Sequence, residues 1–271
     1  MSKHTLSIAF FFLMGLLAGQ NQYSGIYQPT EAQMDYREAK GWEAFLTDNE
    51  SMNAKGYRLI DVESSQVGGD ERIYYGVYTE SSLKDSLGIS LGWEDFVAMK
   101  RKMAAAEYTM VDVHAFALNE FDTKYIGVWV DEENDHKIAK MTSREGLDRR
   151  IKNMGRARYK LKRVHVLSTP DGEPEYIALF HYSPVQEYNF LHYTESMEDF
   201  MREFNERIIS KTRLVDYATF WENGKKYHLG VYQNGDYDYR FLRNADKKVL
   251  DAEGDKLKEA KGLSLFNMNV Y

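Results

Sequence analysis

Lys55-Gly56-Tyr57-Arg58-Leu59-Ile60-Asp61-Val62 is the stretch that decides the fold, because the chain repeats it. Counting 51 residues on brings Glu107-Tyr108-Thr109-Met110-Val111-Asp112-Val113, and 51 more brings Arg158-Tyr159-Lys160-Leu161-Lys162-Arg163-Val164. A step of 53 then gives Lys211-Thr212-Arg213-Leu214-Val215-Asp216-Tyr217, and another 51 gives Gly262-Leu263-Ser264-Leu265-Phe266-Asn267-Met268. A second series keeps step with the first: Tyr74-Tyr75-Gly76-Val77-Tyr78, Tyr125-Ile126-Gly127-Val128-Trp129, Tyr176-Ile177-Ala178-Leu179-Phe180, Tyr227-His228-Leu229-Gly230-Val231-Tyr232 and Tyr23-Ser24-Gly25-Ile26-Tyr27. A fixed period of this size marks a repeat architecture and outranks any local motif.

Within the unit 42–92, Trp42, Phe45, Leu46 and Met52 fall at helical spacing, and Gly56 stands where such a helix stops. Equivalent apolar residues recur in every later unit, and Thr142 with Glu145 has the spacing of a capping box. Two strands follow each helix, joined by turn residues such as Gly68-Gly69-Asp70, Pro170-Asp171-Gly172 and Glu222-Asn223-Gly224. A third strand closes the unit, for example Ile89-Ser90-Leu91. The expected fold is therefore α+β, with about five helix-plus-antiparallel-strand units at 42–92, 93–143, 144–196 and 197–247, and a fifth split between 248–271 and 21–41. Residues 21–271 read as one tandem-repeat domain.

The ends suggest how the array finishes. The chain after residue 20 begins with a second strand, Tyr23 to Gln28, and it ends with a helix and a first strand, Leu263 to Tyr271. Pairing the two completes the fifth unit and leaves no sheet edge bare, the arrangement of a propeller-like closed ring. The alternative is an open α/β solenoid, which would need polar capping units, whereas Leu263 to Tyr271 is apolar.

Residues 1–20 read as a signal peptide: Lys3, an apolar run from Leu6 to Ala18, then Ala18-Gly19-Gln20 as a small-residue cleavage region. A secreted or periplasmic protein is expected, with no stable membrane insertion once the leader is gone, since spanning takes roughly 20 apolar residues. There is no cysteine, hence no disulfide framework. Loss of Lys3 leaves 34 basic residues against 42 acidic ones, an acidic balance that argues against a nucleic-acid partner.

At Lys55-Gly56-Tyr57-Arg58-Leu59-Ile60-Asp61-Val62 and Arg72-Ile73-Tyr74-Tyr75-Gly76-Val77-Tyr78 the unit resembles the bacterial tandem repeat domain. That repeat also occurs in the non-catalytic N-terminal region of polyglycine hydrolases. The resemblance implies an exported repeat module and brings no catalytic residue.

Three sets of side chains are candidates for function. Ser81-Ser82-Leu83-Lys84 fits Ser-x-x-Lys, but that chemistry needs the serine at a helix start and partner motifs that this chain lacks. No catalytic residue, cofactor or metal is assigned. The second strands place Tyr27, Tyr78, Trp129, Phe180 and Tyr232 two residues beyond a glycine or alanine. They are either slots for stacking on a sugar or peptide, or rings packed beneath a helix, and repetition in every unit favours packing. The first strands put Asp61, Asp112, Arg163, Asp216 and Asn267 at one equivalent position, with Glu63, His114 and His165 two residues on. In a ring these converge on one mouth, as a ligand-binding or acid/base site or as a wetted strand end. A non-catalytic module binding a glycan or peptide is the first reading. A hydrolase centred on that mouth and a structural envelope protein are its rivals.

Overall fold

The computed structural model describes residues 21–271 apart from 69, 70, 120, 168–171 and 186–188. The signal peptide expected at 1–20 and the turn residues Gly69, Asp70, Pro170 and Asp171 lie outside the described residues. In chain order the elements are β1 (Tyr23–Pro29), β2 (Met34–Lys40), α1 (Trp42–Ala54), β3 (Tyr57–Gly68), β4 (Glu71–Glu80), β5 (Asp85–Leu91), α2 (Trp93–Ala105), β6 (Thr109–Ala117), β7 (Thr123–Val130) and β8 (His136–Met141). There follow α3 (Arg144–Arg156), β9 (Tyr159–Leu167), β10 (Glu175–Tyr182), β11 (Asn189–Thr194), α4 (Met197–Ile209), β12 (Thr212–Glu222), β13 (Lys225–Asn234), β14 (Arg240–Ala245), α5 (Lys247–Lys261) and β15 (Leu263–Val270).

These strands form five separate three-stranded sheets, ordered β2-β4-β3, β5-β7-β6, β8-β10-β9, β11-β13-β12 and β14-β1-β15. The third strand expected to close its own unit belongs instead to the next sheet: β5 pairs with β7, not with β4. The cause is the helix. In the first sheet β2 and β3 both run antiparallel to β4, so they are parallel to each other. Parallel strands need a crossover of a dozen or more residues, and the 13-residue α1 supplies it. The structural unit is strand-helix-strand-strand, shifted by one strand from the frame that the periodic helix suggests.

The helix ends are built from local chemistry. Ser143, Ser196 and Asp246 cap α3, α4 and α5 by accepting from the main-chain N–H three residues on. The cap of α3 is thus Ser143 rather than Thr142. After each helix the chain turns through a left-handed residue at the same register: Gly56, Glu107, Arg158, Lys211 and Gly262. Only two of the five are glycine, although this backbone region costs other residues roughly 1–2 kcal/mol.

Every inner strand then carries a β-bulge at one position. Leu59 pairs with Tyr78 and Asp61 with Val77, so Ile60 is the extra residue. Val111, Lys162, Val215 and Phe266 are its equivalents in β6, β9, β12 and β15. A bulge resets the alternation. Leu59 and Val62 can thus both enter the core on the helix side while Asp61 turns away from it.

Each hydrophobic core is shared by two successive units. The core under α1, with Phe45, Met52, Leu59 and Tyr78, also takes Ile126 and Val128 from β7. The core under α2 takes Ile177 and Leu179 from β10, the one under α3 takes Leu229 and Val231 from β13, and the one under α4 takes Ile26 from β1. The core under α5 takes Tyr75 and Val77 from β4, so the last helix packs with the first complete unit. β1 lies between β14 and β15, paired with β15 from Tyr23↔Val270 to Pro29↔Leu263. The inner strands touch in succession, β3 to β6, β9, β12 and β15, and β15 touches β3. No helix among the described residues is long and apolar enough to cross a membrane.

The aromatic series belongs to these cores. Tyr27, Tyr78, Trp129, Phe180 and Tyr232 are all buried. Each ring lies against its small partner: a Cβ at Gly76, Gly127 or Gly230 would come within 2.7, 2.3 or 2.6 Å of the ring of Tyr78, Trp129 or Tyr232. The smaller Phe180 stands over Ala178 instead. As ligand-contact candidates these five rings are corrected here, since they face helices and neighbouring strands, the packing that repetition favours.

Candidate functional site

Where the five inner strands meet, the bulges bring Asp61, Asp112, Arg163, Asp216 and Asn267 together, and all five are buried. The aspartates latch one unit to the preceding one. Asp112 accepts from the Val62 main-chain N–H at 2.7 Å, Asp216 from Val164 at 2.7 Å, and Asp61 from Met268 at 2.9 Å. The last of these ties residues 207 apart in sequence. The remaining oxygens are spent within the cluster: Arg163 Nε donates to Asp112 at 3.1 Å, its Nη2 lies 3.4 Å from Asp61, and Asn267 Nδ2 reaches both Asp61 and Asp216 at 3.1 Å.

Burial pushes the pKa of Asp61 well above the usual carboxylate range, raises that of Asp112 and takes Asp216 up to about 6, with Arg163 opposing the shift in each case. Burial also works against the Arg163 charge, but Asp61, Asp112 and Asp216 outweigh it and hold its pKa above the ordinary value. Every member of the cluster has a partner. These hydrogen bonds let the carboxylates brace one unit against the next.

On one side of Arg163 opens a pit of about 570 Å³. Strands of all five sheets contribute, through Gln28, Arg58, Ile60, Thr109, Val111, Lys160, Lys162, Val215, Ser264 and Phe266, with Glu132 as its acid. The five bulge residues, and in four units the residue two positions before, form this wall. Arg58 is the telling member: its Nε and Nη1 are buried with no hydrogen-bond acceptor, and its nearest acid, Glu132, stands 3.9 Å away. Gln28 Nε2 on the same wall also lacks an acceptor. The pit was not foreseen from the sequence. The one legible signal is Lys162, a base where the other four units carry Ile60, Val111, Val215 and Phe266.

On the other side of Arg163 lies a cavity of about 30 Å³, bordered by Glu63 and His165. His114 stands beside them, its ring centre 4.5 Å from that of His165. Burial holds both imidazoles neutral, His165 with a pKa near 4 and His114 well below its usual value, while Glu63 is raised well above its own. Ala218 and Asn269 hold the same register in the other two units. The Ser-x-x-Lys match gains no context: Ser81 follows β4 in a turn, where its Oγ accepts from the Leu83 N–H at 3.1 Å.

Fold and site together define a tandem-repeat module, held by side chains that link one unit to the next. The particular repeat is identifiable: the family model described as polyglycine hydrolase-like, structural repeat matches residues 42–81, which span α1, β3 and β4. That segment is similar to a repeat of this family, and the same strand order recurs through the five sheets. No curated protein matches the chain.

Proposed function

We propose that the chain is an exported, non-catalytic binding module in which the five units close into a propeller-like ring, and that the central pit takes an acidic segment of a glycan or peptide. Closure is supported by β1 lying between β14 and β15, by the core shared between α5 and β4, and by the Asp61 latch to Met268. Export rests on the leader-like residues 1–20, whose removal places the protein in the periplasm or outside the cell. In this reading Arg58, Lys160 and Lys162 of the pit lining supply charge, and Gln28 supplies a donor.

The observation that carries the reading is the Arg58 guanidinium at the pit wall, its side chain 23% exposed while Nε and Nη1 lack an acceptor. Leaving such donors bare costs roughly 1–3 kcal/mol each, more for a charged group, and an incoming carboxylate would recover that cost. At the mouth around Asp61, Asp112, His114, Arg163, His165 and Asp216, where a hydrolase would sit, the three aspartates and Arg163 are engaged with one another, with Asn267 and with main-chain N–H groups, which favours the non-catalytic reading. The test is a titration with oligogalacturonate, with an aspartate-rich peptide and with a neutral oligosaccharide. One of the acidic ligands is expected to bind in a salt-dependent manner, with Arg58→Ala weakening it at least about tenfold, or 1.4 kcal/mol. Equal binding of the neutral sugar, or an Arg58→Ala variant that binds as the parent does, contradicts the proposal.

A further inference from the structure

Glu63, His114 and His165 hold one register in three successive inner strands and offer three donor atoms that all lie within 4.8 Å of one another. We propose that these residues bind a single divalent transition-metal ion of the zinc class, bridging three units at the mouth opposite the pit.

The geometry is already close to a coordination sphere. His114 Nδ1 lies 3.4 Å from Glu63 Oε2, and a tetrahedral site with bonds of about 2.0–2.1 Å sets neighbouring ligand atoms about 3.4 Å apart. His114 Nδ1 is buried and has no hydrogen-bond partner, so nothing else in the core uses it. Its side chain is only 5% exposed and Glu63 only 12%, so the ligand set is held among packed strands.

The opposite nitrogens are anchored as metal-binding histidines usually are. His165 Nε2 lies 2.7 Å from the Ala115 carbonyl, which can only accept, so Nε2 carries the proton and Nδ1 keeps its lone pair. His114 Nε2 lies 2.7 Å from Ser64 Oγ, which also accepts from Arg72 Nη1 at 3.1 Å. Ser64 Oγ keeps a second lone pair that can accept from His114 Nε2, and metal binding selects that tautomer, which leaves Nδ1 basic. Two imidazoles and one carboxylate suit zinc, nickel or copper rather than calcium, which takes six to eight oxygens. In the other two units the register falls to Ala218 and Asn269, which leaves an open side at the 30 Å³ cavity. A fourth position there can hold water or an exogenous ligand.

The site is tested on the protein stripped with a chelator, using zinc by calorimetry and cobalt by its visible absorption. One equivalent is expected to bind with micromolar or tighter affinity, and the cobalt form is expected to show the intense bands of a four-coordinate site. His165→Ala and Glu63→Gln are the variants of choice, because both side chains are partly exposed and neither fills the core. Each is expected to weaken zinc at least about tenfold, since even outer-shell changes cost 10–100-fold. His114→Ala serves only if it remains folded by circular dichroism. Absence of saturable zinc binding by the parent, or parental affinity in both variants, overturns the proposal. Neither outcome bears on the pit, whose ligand test uses Arg58.

Discussion

Arg163→Met is expected to destabilise the protein by about 3–5 kcal/mol at neutral pH, because it leaves buried carboxylates without their cation. Asp61 and Asp112 lose the guanidinium at 3.4 and 3.1 Å, while their hydrogen bonds to Met268 and Val62 keep them from turning outward to water. The loss is also expected to depend on pH. An aspartate whose folded pKa exceeds its unfolded value near 3.9 binds a proton more tightly when folded. Its contribution is therefore greatest below the unfolded pKa and is lost as pH rises through the folded one. Asp216 already sits at about 6, and Asp61 and Asp112 are raised by burial against the pull of Arg163, so all three rise further when Arg163 is removed. The deficit of Arg163→Met should be small near pH 4 and reach full size above neutrality. The buried histidines His165, His181 and His228, lowered to about 4, 3 and 4, tilt stability the other way, but they are common to both proteins and cancel in the difference. Paired urea melts across this range check it. A deficit independent of pH contradicts the role given to Arg163.

Trp129→Ala is expected to cost roughly 3–5 kcal/mol, the usual range for removing a large aromatic side chain from a core. Trp129 is 1% exposed, its ring sits on bare Gly127, and Phe96 of α2 lies 6.3 Å away by ring centres. Gly127 and Gly88 beside the ring have no side chains to move into that volume, and Met99 is near enough to fill only part of it. Trp129→Phe should recover most of the loss, since Phe180 fills the equivalent place in the third unit and the Trp129 Nε1 has no partner to lose. A urea midpoint for Trp129→Ala unchanged within about 0.5 kcal/mol would place this ring at a surface instead.

The sequence discloses the repeat because packing forces it to recur. Helix residues such as Phe45 and Phe96, and the small residue beneath each aromatic ring, occupy one environment five times over. What stays hidden is whatever leaves no residue type behind. The left-handed turn is plain at Gly56 and Gly262 but masked at Glu107, Arg158 and Lys211, where the connection imposes a positive φ on ordinary side chains. Ile60, Val111, Lys162, Val215 and Phe266 share a bulge yet share no chemistry. Without the bulge, the strand wall that becomes the pit cannot be drawn. The convergence of Asp61, Asp112, Arg163 and Asp216 is readable from register, but their role is not. Strand alternation says nothing of the main-chain N–H groups of neighbouring units that consume their oxygens.

Closure of the ring through β1 and β15 is the claim on which the latches, the pit and the three-unit metal site all depend. Ser24 pairs with Asn269 across that seam, and the chain contains no cysteine, so Ser24→Cys with Asn269→Cys introduces a single possible bridge. Paired antiparallel residues stand about 4.5–5.5 Å apart at Cα, within the span a disulfide needs. Mild oxidation of the folded monomer should remove both thiols, lower the mass by two hydrogens and raise stability by about 2–4 kcal/mol. Two thiols that stay fully titratable in the folded, oxidised protein would contradict the ring.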